Sequence, residues 1–579
     1  MMSEYNLISA IRLGQFDRIN EMIDSVDLSH CQACPYQYIL LLNAVKKNQT
    51  NIVKLLLSKN FQVNYSSKKL TNSPLHWAVT NTNYEIIEML LNNQADVNAK
   101  NQYGKTSLHL AIEKKNLKIT ELLINFGADI NALTNHQETP LYIATNKLCL
   151  KMIKLLLNKQ ADVNAEAING VTPLFRAVDL QSREIVEYLL ENGSNINFVC
   201  KSFWYDGYTP LHLAAELGNE EIVKILLDRD ANINAKTKNE LIPIFVAAEK
   251  NHGNIVKVLL DHRAKLSSKN ENGQTILSYS VKSGYLIIVE QILTHEKYYL
   301  DPDSTDNWGT PLLHLAARYN HVEIIFSLLK HAADINYKDQ YGRTALHIAT
   351  QARQIIATET LLDMGADINI EWENGHTPLD DANSPALCSK FVSYNNYDSF
   401  DSYDSTKDAF INEEIIEALN QHILKIKFAG FYVSEKNYQS AIDYYDNNNI
   451  DKYESECKLE IENLKSEKIR GSISLHDILT KNNRYLSLYA KNKTIVKLFE
   501  SNEYELNFPI YGGIIYGNFS RGVRRNLLID KIDEYGFDEI FYQLPIACIE
   551  EIISFLNEND LKIPPEFEWR LARDTYPLE

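Results

Sequence analysis

Long apolar runs are missing from this sequence. None approaches the ~20 residues that a membrane-spanning helix needs, so an α-helical span is excluded. The N-terminus, MMSEYNLISAIRLGQF, carries no signal-peptide core. Cysteine is scarce: seven in 579 residues, an odd set without framework spacing. That excludes a disulfide scaffold and points to a reducing compartment, the cytoplasm first and the nucleus as the alternative. Basic charge is in deficit, with 58 Lys and Arg against 76 Asp and Glu and a formal net charge of −18. A non-specific nucleic-acid binder needs a positive footprint, so that class is excluded, as is docking on an anionic membrane. A protein partner with a basic face fits the charge better. Catalytic signatures are absent too. The stretch YGGIIYG (511–517) lacks the Lys and Ser/Thr that complete a phosphate-binding loop, and there is no His-Glu-x-x-His and no Gly-x-Ser-x-Gly. Cys457 has no histidine near it in sequence. The expectation is a non-enzyme with no catalytic residue, no cofactor and no metal.

What the chain has in abundance is one pattern. TPLHLAAELGNEEIVKILLDRDANINA, Thr209 to Ala235, describes two short antiparallel helices and a turn. Thr209 can cap the first helix and Pro210 suits its first position. Leu211 points inward, and Ala214 lets a neighbouring helix come close. Gly218 can end the helix in the left-handed conformation. Ile222, Val223, Leu226 and Leu227 form one apolar face on the second helix. Such a unit cannot bury that face alone and must stack on copies of itself.

The copies are present. The position of Ala214 recurs as Ala10, Ala44, Ala78, Ala111, Ala144, Ala177, Ala247, Ser280, Ala316, Ala349 and Ala382. The steps are 33 or 34 residues except two, of 37 and 36. The motif stands as SPLHWA (73–78), TSLHLA (106–111), TPLYIA (139–144), TPLFRA (172–177), TPLHLA (209–214), TALHIA (344–349) and TPLDDA (377–382). Period and motif resemble the ankyrin repeat. The resemblance implies an all-α fold: a solenoid of about twelve helix-turn-helix repeats with projecting β-turns over 1–393.

The first repeat puts Arg18 where others carry Ile, as an N-terminal cap would. His30, Cys31 and Cys34 lie in the following turn, where a plain loop is favoured over zinc. The turns repeat Asn98, Asn131, Asn164, Asn197, Asn234, Asn336 and Asn369, expected to bond local backbone. The resemblance leaves room for hydroxylation of this Asn. His76, His109, His212, His314 and His347 recur once per repeat, so a structural bond to backbone of their own or the adjacent turn outweighs a metal role. The two long steps place insertions in the turns FVCKSFWYDGYTP (198–210) and THEKYYLDPDSTDNWGTP. The first carries Phe203, Trp204 and Tyr205, candidate target-binding residues that either project as anchors or fold back on a neighbouring turn.

After TPLDDA the pattern decays, so repeat twelve reads as a partial cap. Residues 394–408, YNNYDSFDSYDSTKD, read as an acidic linker. Helical periodicity resumes with Ile411, Ile415, Ile416, Leu419 and Ile423, and residues 409–579 read as a small helical domain. Near its end come Leu544-Pro545, a helical face of Ile549, Ile552, Ile553 and Leu556, and Asp560-Leu561. Pro564-Pro565 prevents that helix from continuing. This arrangement resembles an F-box. Cys457-x-x-Glu460-Ile461-x-x-Leu464-Lys465, FPIYGGII (508–515) and Arg524-Arg525-x-Leu527-Leu528 resemble the PRANC domain. That domain follows ankyrin arrays in poxviruses, in intracellular symbionts such as Wolbachia and Orientia, and in parasitoid wasps. Ala547 and Cys548 depart from that pattern, where relatives carry Glu and a larger aliphatic residue.

The resemblance implies an adaptor. Leu544, Pro545, Ile549, Ile552, Ile553 and Leu556 would dock on the Skp adaptor of a cullin ubiquitin ligase, and the array would hold a host protein. The alternative is a sequestering scaffold, in which the array masks a host signalling protein and the same apolar face packs in its own domain.

Overall fold

The computed structural model describes residues 9–25, 36–64, 72–384 and 405–478, apart from a few short internal stretches such as 296–301. The chain divides into two compact units, Met1–Ala264 and Lys265–Glu579, and the same helical pair builds the described repeats of both.

The pair Pro210–Glu216 and Glu220–Leu227 shows why the motif folds as it does. The Thr209 hydroxyl accepts from the backbone N–H of His212, while the His212 ring accepts from the N–H of Thr209. Two free donors of the helix start are thus satisfied reciprocally. Pro210 fills the first turn without losing a bond. Gly218 turns the chain at φ +69°. Asn219 then caps the second helix through the N–H of Ile222. Leu211, Ala214, Ile222, Val223 and Leu226 are buried, which contributes about 1.5–3 kcal/mol for each large side chain.

In the first unit the same pair recurs as Pro74–Thr80 with Tyr84–Asn92, Ser107–Glu113 with Leu117–Asn125, Pro140–Asn146 with Leu150–Asn158, Pro173–Asp179 with Arg183–Glu191, and Pro243–Glu249 with Gly253–Asp261. First helices pack on first helices and second on second. The core is therefore a continuous seam rather than a centre. In the first repeat Arg18 is exposed and Ile19 buried.

The second unit holds Ile276–Ser283 with Leu286–Thr294, Leu312–Arg318 with Val322–Lys330, and Ala345–Gln351 with Ile355–Asp363. Pro378–Asn383 is followed, after residues outside the described set, by the helices Ser405–Phe428, Glu435–Tyr444 and Asn447–Ser466. A boundary at 408/409 falls inside the helix Ser405–Phe428. Ile415, Leu419 and Ile423 on that helix are buried, and it packs on Ile355–Asp363 and Pro378–Asn383. The strands Lys468–Arg470 and Ile473–Ser474 form a short antiparallel pair that helical periodicity did not suggest.

The recurrent asparagines do more than hold their own turns. Asn98 Oδ1 accepts from the N–H of Asp129 at 2.7 Å, Asn131 from Asp162 at 2.9 Å, Asn164 from Asn195 at 2.7 Å and Asn336 from Asp367 at 2.8 Å. The expectation of a local bond gives way to one that joins each turn to the next. The local bond is made by the preceding acidic or amide residue, as in Asp96 Oδ1 accepting from the N–H of Asn98 at 2.9 Å.

Candidate functional site

The turn tips of repeats three to six carry the candidate surface. Each turn leaves its second helix, passes the Asn, and returns to the next Thr. Neighbouring tips are tied by main-chain bonds: Asn135 N–H to Tyr103 O at 3.0 Å, and Ile168 N–H to His136 O at 2.9 Å. Exposed on this ribbon are Tyr103, Leu133, Ile168 and Val199, followed by Phe203 and Trp204. Scattered apolar side chains on a surface mean little, but each of four successive turns carries one here.

The inserted loop is held in shape. Cys200 N–H donates to Tyr208 O at 2.8 Å, and Gly207 N–H returns to Cys200 O at 2.8 Å. Gly207 sits at φ +87°, and a Cβ there would lie 2.6 Å from the backbone N of Lys238. Asp206 pairs with Lys238 of the following turn. On this frame the three aromatics separate. Phe203 and Trp204 are 89% and 83% exposed, edge to face with each other at 5.3 Å. Tyr205 folds back, its ring 5.6 Å from Phe175 and 5.5 Å from Tyr208. The triplet thus both projects and folds back, through different residues.

Several turn charges are paired. Lys105 meets Glu113 at 2.6 Å, Lys201 meets Glu166 at 3.7 Å, and Lys236 pairs with Glu240. Exposed pairs of this kind add little stability. Two of the pairs, Lys201 with Glu166 and Asp206 with Lys238, neutralise the charges that flank Phe203 and Trp204.

The repeated histidines are structural. His76, His109, His212, His314 and His347 are buried. Each Nε2 meets a backbone carbonyl of the next turn: Lys105 at 2.9 Å, Ala132 at 3.0 Å, Leu241 at 3.1 Å, Arg343 at 2.8 Å and His376 at 3.3 Å. Burial pushes His109, His212, His314 and His347 down to about 4, against the opposing pull of those carbonyls. The neutral ring therefore donates from Nε2 and accepts at Nδ1. No cluster of metal-ligating side chains occurs among the described residues.

Cys457, Ile461 and Leu464 are buried on one face of Asn447–Ser466, with Glu460 beside them. Their spacing marks packing rather than a docking surface. Leu544, Pro545, Ile549, Ile552, Ile553 and Leu556 lie outside the described residues, as do His30, Cys31 and Cys34. Tyr103, Leu133, Ile168 and Val199 were not singled out by sequence. Their signal, an apolar residue between the turn Asn and the next Thr or Ser cap, emerges only when the turns are laid side by side.

A family model described as "Ankyrin repeats (3 copies)" matches residues 7–101, 95–167, 164–237, 231–306 and 288–371. These matches span more than half of the chain, which belongs to the ankyrin-repeat family. The chain is also similar to the crystal structure of the ankyrin repeat domain of Bcl-3, described as a unique member of the IkappaB protein family. The identity is 28%, over 36% of this chain and 94% of that one, with a TM-score of 0.34. No curated protein matches the chain. Repeats of this family make a scaffold for protein–protein interaction, and no helix among the described residues is long and apolar enough to cross a membrane.

Proposed function

We propose that the chain is a non-enzymatic adaptor that holds a target protein on its ankyrin turn tips and presents it to a Skp–cullin ubiquitin ligase. The observation that carries the first half is the pinned, exposed pair Phe203 and Trp204 at the end of an apolar ribbon. Large aromatics on a fixed loop lose little entropy on binding and are the usual anchors of an interface. The paired charges around them favour a target recognised by apolar contact there, while the −18 net charge steers basic partners at long range.

The second half rests on sequence: Leu544-Pro545, the face Ile549, Ile552, Ile553 and Leu556, and Asp560-Leu561. An F-box-like helix at that position tethers the target near the ubiquitin carrier. Catalysis is then by effective concentration rather than by any side chain of this protein.

The test is a titration of the full chain against a purified Skp adaptor, wild type beside Leu544→Ala/Pro545→Ala. The expected result is binding that falls at least tenfold in the variant. A wild-type chain that does not bind moves the function to sequestration of the target.

A further inference from the structure

We infer that residues 405–444 are the last layers of the array itself. The helix Ser405–Phe428 is the second helix of repeat twelve, delivered after an insertion, and the solenoid extends well past residue 393. This goes beyond the adaptor reading and does not depend on it.

The turn chemistry carries this assignment. In ordinary repeats the second helix ends on a left-handed residue, Gly127, Gly193 and Gly365 in three of them and Gln94, Gln160 or Arg263 in others, with two fixed bonds. Gly127 N–H donates to Ile124 O and Ala128 N–H to Leu123 O, each at 3.0 Å. Gly365 N–H and Ala366 N–H do the same to Leu362 O and Leu361 O. After Ser405–Phe428, Gly430 N–H donates to Lys427 O at 3.0 Å and Phe431 N–H to Ile426 O at 2.9 Å. Gly430 has φ +86°, beside +84° and +88° for Gly127 and Gly365. The helix therefore ends as a repeat's second helix ends.

The asparagine ladder then continues through it. Rungs earlier in the array join residues 31 to 35 apart, as from Asn164 to Asn195 and from Asn197 to Asn232. The last rung is longer: Asn369 Oδ1 accepts from Ser434 N–H at 2.8 Å, 65 residues on. The chain makes the same bond after a detour. Asn437 extends the joint, donating to Ile368 O at 3.1 Å and accepting from the Thr377 hydroxyl at 3.1 Å. It is buried, so these bonds replace water fully. Asn412 donates to Ala382 O at 2.9 Å.

Repeat twelve also differs in its motif residue, and the difference is matched. Where other repeats place a histidine that reaches the next turn, TPLDDA places Asp380. Its carboxylate caps Thr377 and pairs with Lys436 at 2.7 Å. The partner of the altered motif is thus a residue past Ser405. The protein surface that receives the helix Ser405–Phe428 is repeat twelve's first helix together with Ile355–Asp363.

The experiment inserts a specific protease site within residues 385–404 of the full chain, cleaves it, and runs size exclusion under native conditions. The expected result is that the two pieces co-elute. Asn437→Ala, which removes the buried bonds to Ile368 and Thr377, should weaken their association at least tenfold, while Lys436→Ala should weaken it only about twofold. Separation of the wild-type pieces overturns the inference, and so does an Asn437→Ala variant whose pieces associate as the wild type does. Neither outcome bears on Skp binding, which the uncut chain reports independently.

Discussion

Buried histidines at one motif position in five of the twelve repeats give this protein a pH response that solvent-exposed histidines would not. The folded values near 4 at His109, His212, His314 and His347 lie below the ordinary 6.5 because burial disfavours the charged ring. Above pH 6.5 the ring is neutral folded or unfolded, and its contribution is fully present. Between 6.5 and about 4 the unfolded chain takes up protons that the folded one refuses, so stability falls as the pH drops and levels off below about 4. Each histidine contributes on the order of 1 kcal/mol per pH unit across that window. Urea unfolding at pH 7.0 and 5.0 should show a marked loss at the lower pH. His212→Gln should cost about 1–3 kcal/mol at pH 7 and flatten the slope. An unchanged slope would mean that the ring is not kept neutral by the fold. His314 is an instructive exception in its cap. The run TPLLHLA carries one extra Leu, which puts Pro311 at the cap position. Pro311 has no N–H to give, and His314 Nδ1 has no partner among the described residues.

At the scale of the helical pair, the turn between the two helices shows where glycine is required and where it is only convenient. The same turn position holds Thr82, Lys115, Leu148, Gln181, Asn251, Asn320 and Arg353 at φ 53–57°, so left-handed backbone alone does not demand glycine. Gly218 and Gly284 differ because a histidine of the next repeat lies against them. A Cβ would lie 2.7 Å from the ring of His252 or His321. Those rings reach back to Glu216 O at 3.0 Å and Lys282 O at 3.1 Å. Gly218→Ala should therefore destabilise by about 1–3 kcal/mol. His252→Asn in the same chain should recover part of that loss, a coupling a double-mutant cycle by urea unfolding would measure. Additive effects would mean that the ring moves aside freely.

The inserted loop belongs to the same scale. Phe203→Ser/Trp204→Ser should leave the thermal midpoint unchanged, since neither side chain is buried, with an effect within about 0.5 kcal/mol. Gly207→Ala should lower it, because its Cβ meets the Lys238 backbone. Equal effects of the two changes would show that the loop's tip is packed after all.

Elements of this kind were largely legible in sequence, and the reasons are local. Caps, apolar faces and the Thr-Pro-Leu-His motif act within about ten residues, so spacing alone places them. The split of Phe203 and Trp204 from Tyr205 was not legible, because it depends on Phe175, 30 residues earlier in the chain. The second helix of repeat twelve was hidden for a related reason. It starts 22 positions after Asn383, where other repeats start their second helix about four positions after the first, as from Glu216 to Glu220. The bonds of the turn asparagines had the same character. A single repeat shows an Asn fit for a turn, and only two repeats side by side show that its carbonyl serves the next one.

For the whole molecule, the residue-scale response and the net charge act in the same pH range. At neutral pH the chain carries −18 and copies repel one another. The sequence pI is about 5.4, so that repulsion vanishes on acidification to just the region where the buried histidines are losing their contribution. A stack of repeats responds to local loss by opening neighbouring interfaces, because its stability is a sum of nearest-neighbour terms rather than one shared core. Opened layers expose faces such as Ile222, Val223 and Leu226 when no charge keeps copies apart. Light scattering followed from pH 7.5 to 4.0 at about 0.1 M salt, where exposed charges are already partly screened, should rise sharply near 5.4. The rise should begin above 5.4 if the histidines open the stack first, and His212→Gln should move its onset toward the pI itself. A wild-type chain that stays monomeric through pH 5.4 would show that the stack holds closed while its histidines are driven toward protonation. The inter-turn asparagine ladder would then be the stronger bond.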